Sequence, residues 1–186
     1  MHAKRTDIAE RIADSLLDCG VAQIPLRELA MRLGTSDRML LYYFSDKAEL
    51  IRESLAVVSA RLSGLLSLAG GSPADLARDA LGLLLSEAMA PYMAVWGDLA
   101  ARAGRREEPF AAIAETIMAG WQSWMESRLT GVDEVERPRI ATAILILLEG
   151  ARQLETIRPG TSRGAVDILI AGFDRKERSA ASSRSD

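Results

Sequence analysis

Residues 26–47 read LRELAMRLGTSDRMLLYYFSDK, and the spacing within them decides the architecture. A helix-turn-helix needs a small residue where two helices cross, a glycine in the tight turn four positions on, and apolar residues that lock the pair. Ala30 is the small residue, Gly34 the turn, and Leu29, Leu33, Leu40 and Tyr43 fall at the locking positions. Thr35 departs from the pattern, since an aliphatic side chain would pack better there. With Leu40 as the buried reference and a rotation of about 100° per residue, Tyr43 and Phe44 stay on its side. Arg38 and Tyr42 come out at about 160° and 200°, opposite the core. Ser36 or Thr35 caps this second helix, at the end that meets base edges when such a helix enters a major groove. Arginine is the best side chain for reading guanine, and a tyrosine hydroxyl serves phosphate or base. Lys47 opens the following helix, where its charge and the free N–H groups both suit a phosphate; Arg27 begins the first helix of the motif in a similar posture.

Outward from the motif, punctuation and period predict an all-α chain of about nine helices, over 4–19, 26–33, 37–44, 46–69, 73–89, 91–103, 107–130, 134–157 and 162–173. Pro25, Pro73, Pro91, Pro109, Pro138 and Pro159 separate the spans, as expected for a residue excluded from helix interiors. Gly20, Gly34, Gly70 with Gly71, Gly104, Gly131 and Gly160 sit where left-handed caps are wanted. Ile8, Ile12 and Leu16 with Ala9 and Ala13 form one stripe, and Phe110, Ile113, Ala114, Ile117, Trp121, Trp124 and Met125 another. Asp46 with Glu49 predicts a capping box. The tail, 174–186, is serine, alanine and alternating charge, a composition that predicts disorder.

The composition of the 186 residues excludes several functions. One cysteine, Cys19, cannot close a disulfide, and with His2 as the only histidine there is no ligand set for zinc or iron. Histidine-based catalysis falls with the same count, no catalytic constellation is recognisable, and neither a metal nor another cofactor is expected. Cys19 reads as a packed, inert thiol. The polar start Met1–Asp7 carries no secretory signal, no stretch is apolar enough to span a membrane, and a reducing cytoplasm is the compartment implied. The net charge of −3 gives no global signal for nucleic acid. Residues 1–50 hold seven basic and eight acidic side chains, so any DNA contact must rest on a few placed cations: Lys4, Arg5, Arg27, Arg38 and Lys47.

The segment LRELAMRLGTSDRMLLYYFSDKAEL resembles the TetR family of bacterial transcriptional regulators. It matches the family's helix-turn-helix and the junction after it, here Tyr43, Phe44, Lys47 and Leu50, and extends back through Gly20, Ile12 and Ile8 to cover about 55 residues. Two departures stand out. Leu41 occupies the place of a family tyrosine, so a phosphate contact there is absent or moves to Tyr42 or Tyr43. Ile24 and Pro25 replace a threonine that often opens the first motif helix.

The resemblance implies a three-helix DNA-binding domain at 1–48 and an effector-binding and dimerisation domain at 49–173. It implies a homodimeric, ligand-responsive repressor released from near-palindromic operator DNA by a small molecule. Met89, Tyr92, Met93, Trp96, Phe110, Met118, Trp121 and Met125 are the candidate walls of an effector pocket, suited to a flat or greasy molecule; the alternative is a plain core. Ala141–Leu148, ATAILILL, is apolar all round, which predicts burial on more than one side. With 162–173 it matches the family's two-helix dimerisation face, through helices near 134–157 and 162–173. Glu149, Arg152 and Glu155 either pair along or across that face, or Glu149 points inward to a ligand. The competing functions are a regulator with no effector and a helical interaction protein that has lost DNA binding.

Overall fold

In the computed structural model, residues 2–21, 25–66 and 69–171 are described. The expectations for Ile24, for the helix beyond residue 171 and for the 174–186 tail lie outside them. Every regular element among the described residues is helical: α1 (His2–Cys19), α2 (Leu26–Arg32), α3 (Asp37–Tyr43), α4 (Lys47–Leu65), α5 (Pro73–Leu84), α6 (Ala90–Gly104), α7 (Phe110–Arg128), α8 (Arg137–Ile157) and α9 (162–171). The described residues pack into two compact units. One comprises α1 to α4 with residues 88–117, the other residues 69–87 with 118–171, so α7 contributes to both.

In the first unit α1 packs against α4 and α6. Ile12, Ala13 and Leu16 of α1 are buried with Leu50, Leu55, Val58 and Leu62 of α4, as their spacing requires. Leu29, Ala30, Leu33 and Leu40 are buried as the helix-turn-helix demands, while Tyr43 is half-buried. Gly34 makes the turn at φ +66°, a left-handed conformation that strains other residues. Gly20, at φ +75°, ends α1 against α6: the Val21 N–H donates to Asp98 Oδ2 at 2.9 Å, and a Cβ on Gly20 would collide with that carboxylate.

In the second unit α5 packs against α8. Leu76, Ala77 and Leu81 are buried with Ala141, Ile144, Leu148 and Ala151, and Val166 and Ile170 of α9 complete the cluster. Ser72 caps α5 by accepting from the Asp75 N–H. Within the single chain the 141–148 run is buried on one side only, and Ile146 is 68% exposed. Along the same side Leu154 and Ile157 are exposed, as are Ile168 and Leu169 of α9. The apolar run holds two stripes, one in the core and one on the surface.

Several boundaries differ from expectation. α5 stops at Leu84, and a single 3-10 turn, Glu87–Met89, precedes α6. Gly70 and Gly71 form no left-handed cap; Gly71 instead exchanges backbone bonds with Arg128 and Thr130. Asp46 does cap α4, but the box is shifted. Asp46 Oδ1 accepts from the Glu49 N–H at 2.7 Å, whereas the Glu49 carboxylate reaches back to Ser45, N–H and hydroxyl both, and not to Asp46.

Candidate nucleic-acid interface

Leu40 is the buried residue of α3 and Phe44, just past its end, is buried too, so the helix is anchored along one side. The opposite side faces out. Arg38 is exposed and Tyr42 is 65% exposed, with the Tyr42 ring edge-on to Tyr43 at 5.1 Å between centroids. Ser36, not Thr35, is the cap: its Oγ accepts from the Met39 N–H at 3.2 Å. Thr35 is half-buried in the turn, its N–H bonded to Ala30 O.

The cations fall into two groups. Lys4, Arg27 and Arg38 are exposed, Lys47 is half-buried, and none makes an ion pair among the described residues. Arg5 is different. Its guanidinium pairs with Glu49 and Glu53 of α4, donates to Tyr43 O at 3.0 Å and lies 4.9 Å over the Phe44 ring. These carboxylates hold it above the ordinary arginine range. Arg5 is therefore occupied in fixing the end of α3 to α1 and α4. Arg11 likewise donates to Leu33 O at 3.0 Å, Arg32 pairs with Glu28 and Arg61 with Asp14. Lys47 also differs in detail. Asp46 and Glu49 place two carboxylates at the start of α4, where the Glu49 N–H already donates to Asp46.

Sequence reasoning missed the roles of Arg5, Arg11 and Asp98, because nothing local marks a partner 22 to 77 residues away. It also took Cys19 as packed; the thiol is exposed, donates to Ser15 O at 2.8 Å and accepts from Arg32 Nη1 at 3.0 Å.

The Ser45 backbone N–H, then the Arg5 guanidinium and the Ser45 hydroxyl, lower the Glu49 carboxyl from 4.5 to about 2. A carboxyl depressed by folding contributes stability above its unfolded pKa and loses it as pH falls through the folded value. Glu49→Gln is accordingly expected to melt below the parent at pH 7, with the difference shrinking between pH 4.5 and about 2. Thermal melts across that range check it, and a constant difference counts against the assignment.

The candidate effector walls divide between the units. Met89, Met93 and Trp96 are buried and Tyr92 and Phe110 half-buried in the first, with the Arg102 guanidinium 4.7 Å over the Phe110 ring. In the second unit Met125 is buried, and Met118, Trp121 and Glu149 are half-buried. Glu149 pairs along its own helix with Arg152 at 3.1 Å. Glu155 holds the turn into α9, accepting from the Gly160 and Ser162 N–H groups, which lower its pKa. A hollow of about 320 Å³ opens between α1 and α2, away from the candidate walls.

The buried helix crossing, the left-handed Gly34 and an outward-facing α3 define a helix-turn-helix protein built wholly of helices among its described residues. No protein-family model matches the sequence, and no curated protein does. Solved structures do. A transcriptional regulator from Rhodococcus sp. Rha1 superimposes with a TM-score of 0.72 at 24% identity, over 92% of this chain and 96% of that one. A Rhodococcus protein described as a TetR-family transcriptional regulator gives 0.69 at 19% identity, over 94% and 98%. A protein from Pseudomonas aeruginosa PAO1, described as a transcriptional regulator, gives 0.65 at 17% identity, over 96% and 92%. The chain thus has the fold of TetR-type regulators. No helix among the described residues is long and apolar enough to cross a membrane.

Proposed function

We propose that the chain is a cytoplasmic transcriptional regulator that binds near-palindromic operator DNA as a homodimer, without enzymatic activity. The observation that carries this is α3, locked from below by Leu40 and Phe44 while Arg38 and Tyr42 project from it. Two such helices roughly 34–36 Å apart would enter successive major grooves. The exposed stripe of Ile146, Leu154 and Ile157 on α8 with Ile168 and Leu169 on α9 supports dimerisation, because it offers a self-complementary surface for a four-helix bundle. Repression relieved by a small hydrophobic or aromatic molecule completes the proposal. A regulator without an effector is the second reading, favoured by the near-complete burial of Met89, Met93, Trp96 and Met125.

Mobility-shift titrations test the proposal. Arg38→Ala is expected to weaken operator binding about 30-fold or more, because the dimer loses one bidentate base contact of about 1–3 kcal/mol in each half-site, and Tyr42→Ala by less. With Lys4, Arg27 and Lys47 as phosphate contacts in each protomer, the slope of log K against log salt should be roughly −5. Unchanged affinity in both variants would remove α3 from the interface.

A further inference from the structure

The outward side of α3 carries little charge. Arg38 is the helix's sole cation, and around it stand Met39, Leu41 and Tyr42, respectively 42%, 48% and 65% exposed. At about 100° per residue, Met39 and Leu41 lie on opposite flanks of the strip formed by Arg38 and Tyr42. The helix is anchored by Leu40 and Phe44, which are buried, and not by burial of Met39 or Leu41. Tyr42 is already oriented by its edge contact with Tyr43, so less side-chain freedom is lost on binding. A helix reading base edges chiefly by hydrogen bonds would present amides and cations here. Hydrocarbon on both flanks has a different complement in the major groove, the C5-methyl group of thymine, while a lone guanidinium suits the O6 and N7 acceptors of guanine.

We infer that each α3 reads one guanine through Arg38 and reads neighbouring thymines by their methyl groups, through Met39, Leu41 and Tyr42. The inference rests on the DNA-binding function proposed above and names the bases recognised: a guanine set among thymines in each half-site.

The test uses the full-length protein to select duplexes from a random-sequence pool. The expected consensus holds one guanine and flanking thymines per half-site. The selected duplex is then remade with deoxyuridine in place of those thymines, which removes the methyl groups and leaves the pairing edge intact. Affinity should fall about fourfold for each buried methyl lost. Met39→Ala and Leu41→Ala should narrow the difference between thymine and uracil duplexes, and Tyr42→Phe should preserve it, since the ring and not the hydroxyl makes the contact. Equal affinity for the two duplexes, with salt-dependent binding intact, overturns the inference and leaves the DNA-binding function standing. A pool from which no duplex is retained overturns both.

Discussion

Ile146→Asp combined with Ile168→Asp is expected to convert the protein to a monomer and to weaken operator binding about 100-fold or more, the avidity that two joined half-sites provide. Both side chains are exposed in the single chain, at 68% and 72%, so the substitutions leave the packing of the second unit untouched and its helical circular dichroism unchanged. A two-fold interface presents each aspartate twice, and burying an unpaired carboxylate costs several kcal/mol. Full burial of an Ile or Leu side chain stabilises by about 1.5–3 kcal/mol, and association costs about 4–15 kcal/mol before any net affinity appears. Leu154, Ile157 and Leu169 join the two isoleucines on each protomer, so the seam has enough apolar surface to exceed that cost. Two charged pairs in its midst reverse the balance. Sedimentation velocity of parent and variant checks the result, and a variant that stays dimeric moves the interface elsewhere.

Phe44→Ala carries the largest expected cost in stability. The ring is 1% exposed at the end of α3, beneath the Arg5 guanidinium. Truncating a buried phenylalanine costs about 3–5 kcal/mol, a large part of the roughly 5–15 kcal/mol that holds an ordinary domain folded. The first unit should melt at markedly lower temperature, and the proposed DNA binding should vanish with it although Phe44 is buried and not on the outward side of α3. Tyr43→Phe is the control: that side chain is half-buried and keeps its ring, so only a small shift is expected. Calorimetry on both variants separates the outcomes, and a Phe44→Ala protein with parental stability would contradict the packing described.

The helix-turn-helix was legible because its constraints are local: Ala30, Gly34 and Leu40 each have one structural reason, set by neighbours within a few turns. Ser72 and Pro73 marked the start of α5 for the same reason. The occupation of Arg5 was not legible. Lysine or arginine near a chain start reads as a free cation, and the carboxylates that claim it lie 44 and 48 residues on. The two faces of α8 were hidden differently. Ile144 and Ile146 are chemically identical, one buried and one exposed, and a hydrophobic pattern cannot distinguish the packed core from an apolar stripe left on the surface. Arg38 and Tyr42 could be placed on the outward side by rotation alone, but which neighbours flank them mattered only once their exposure was known.

The interrupted course of the first unit bears on how the protein is made. Its core requires 88–117 in addition to 1–66, and the Val21 N–H at the end of α1 waits for Asp98. At about 5–20 residues per second of synthesis, the N-terminal helices emerge roughly 3–10 s before the segment that completes their packing. During that interval the side of α1 that packs on α6 lacks its cover, so nascent chains stalled between residues 66 and 117 should be more sensitive to protease than released protein.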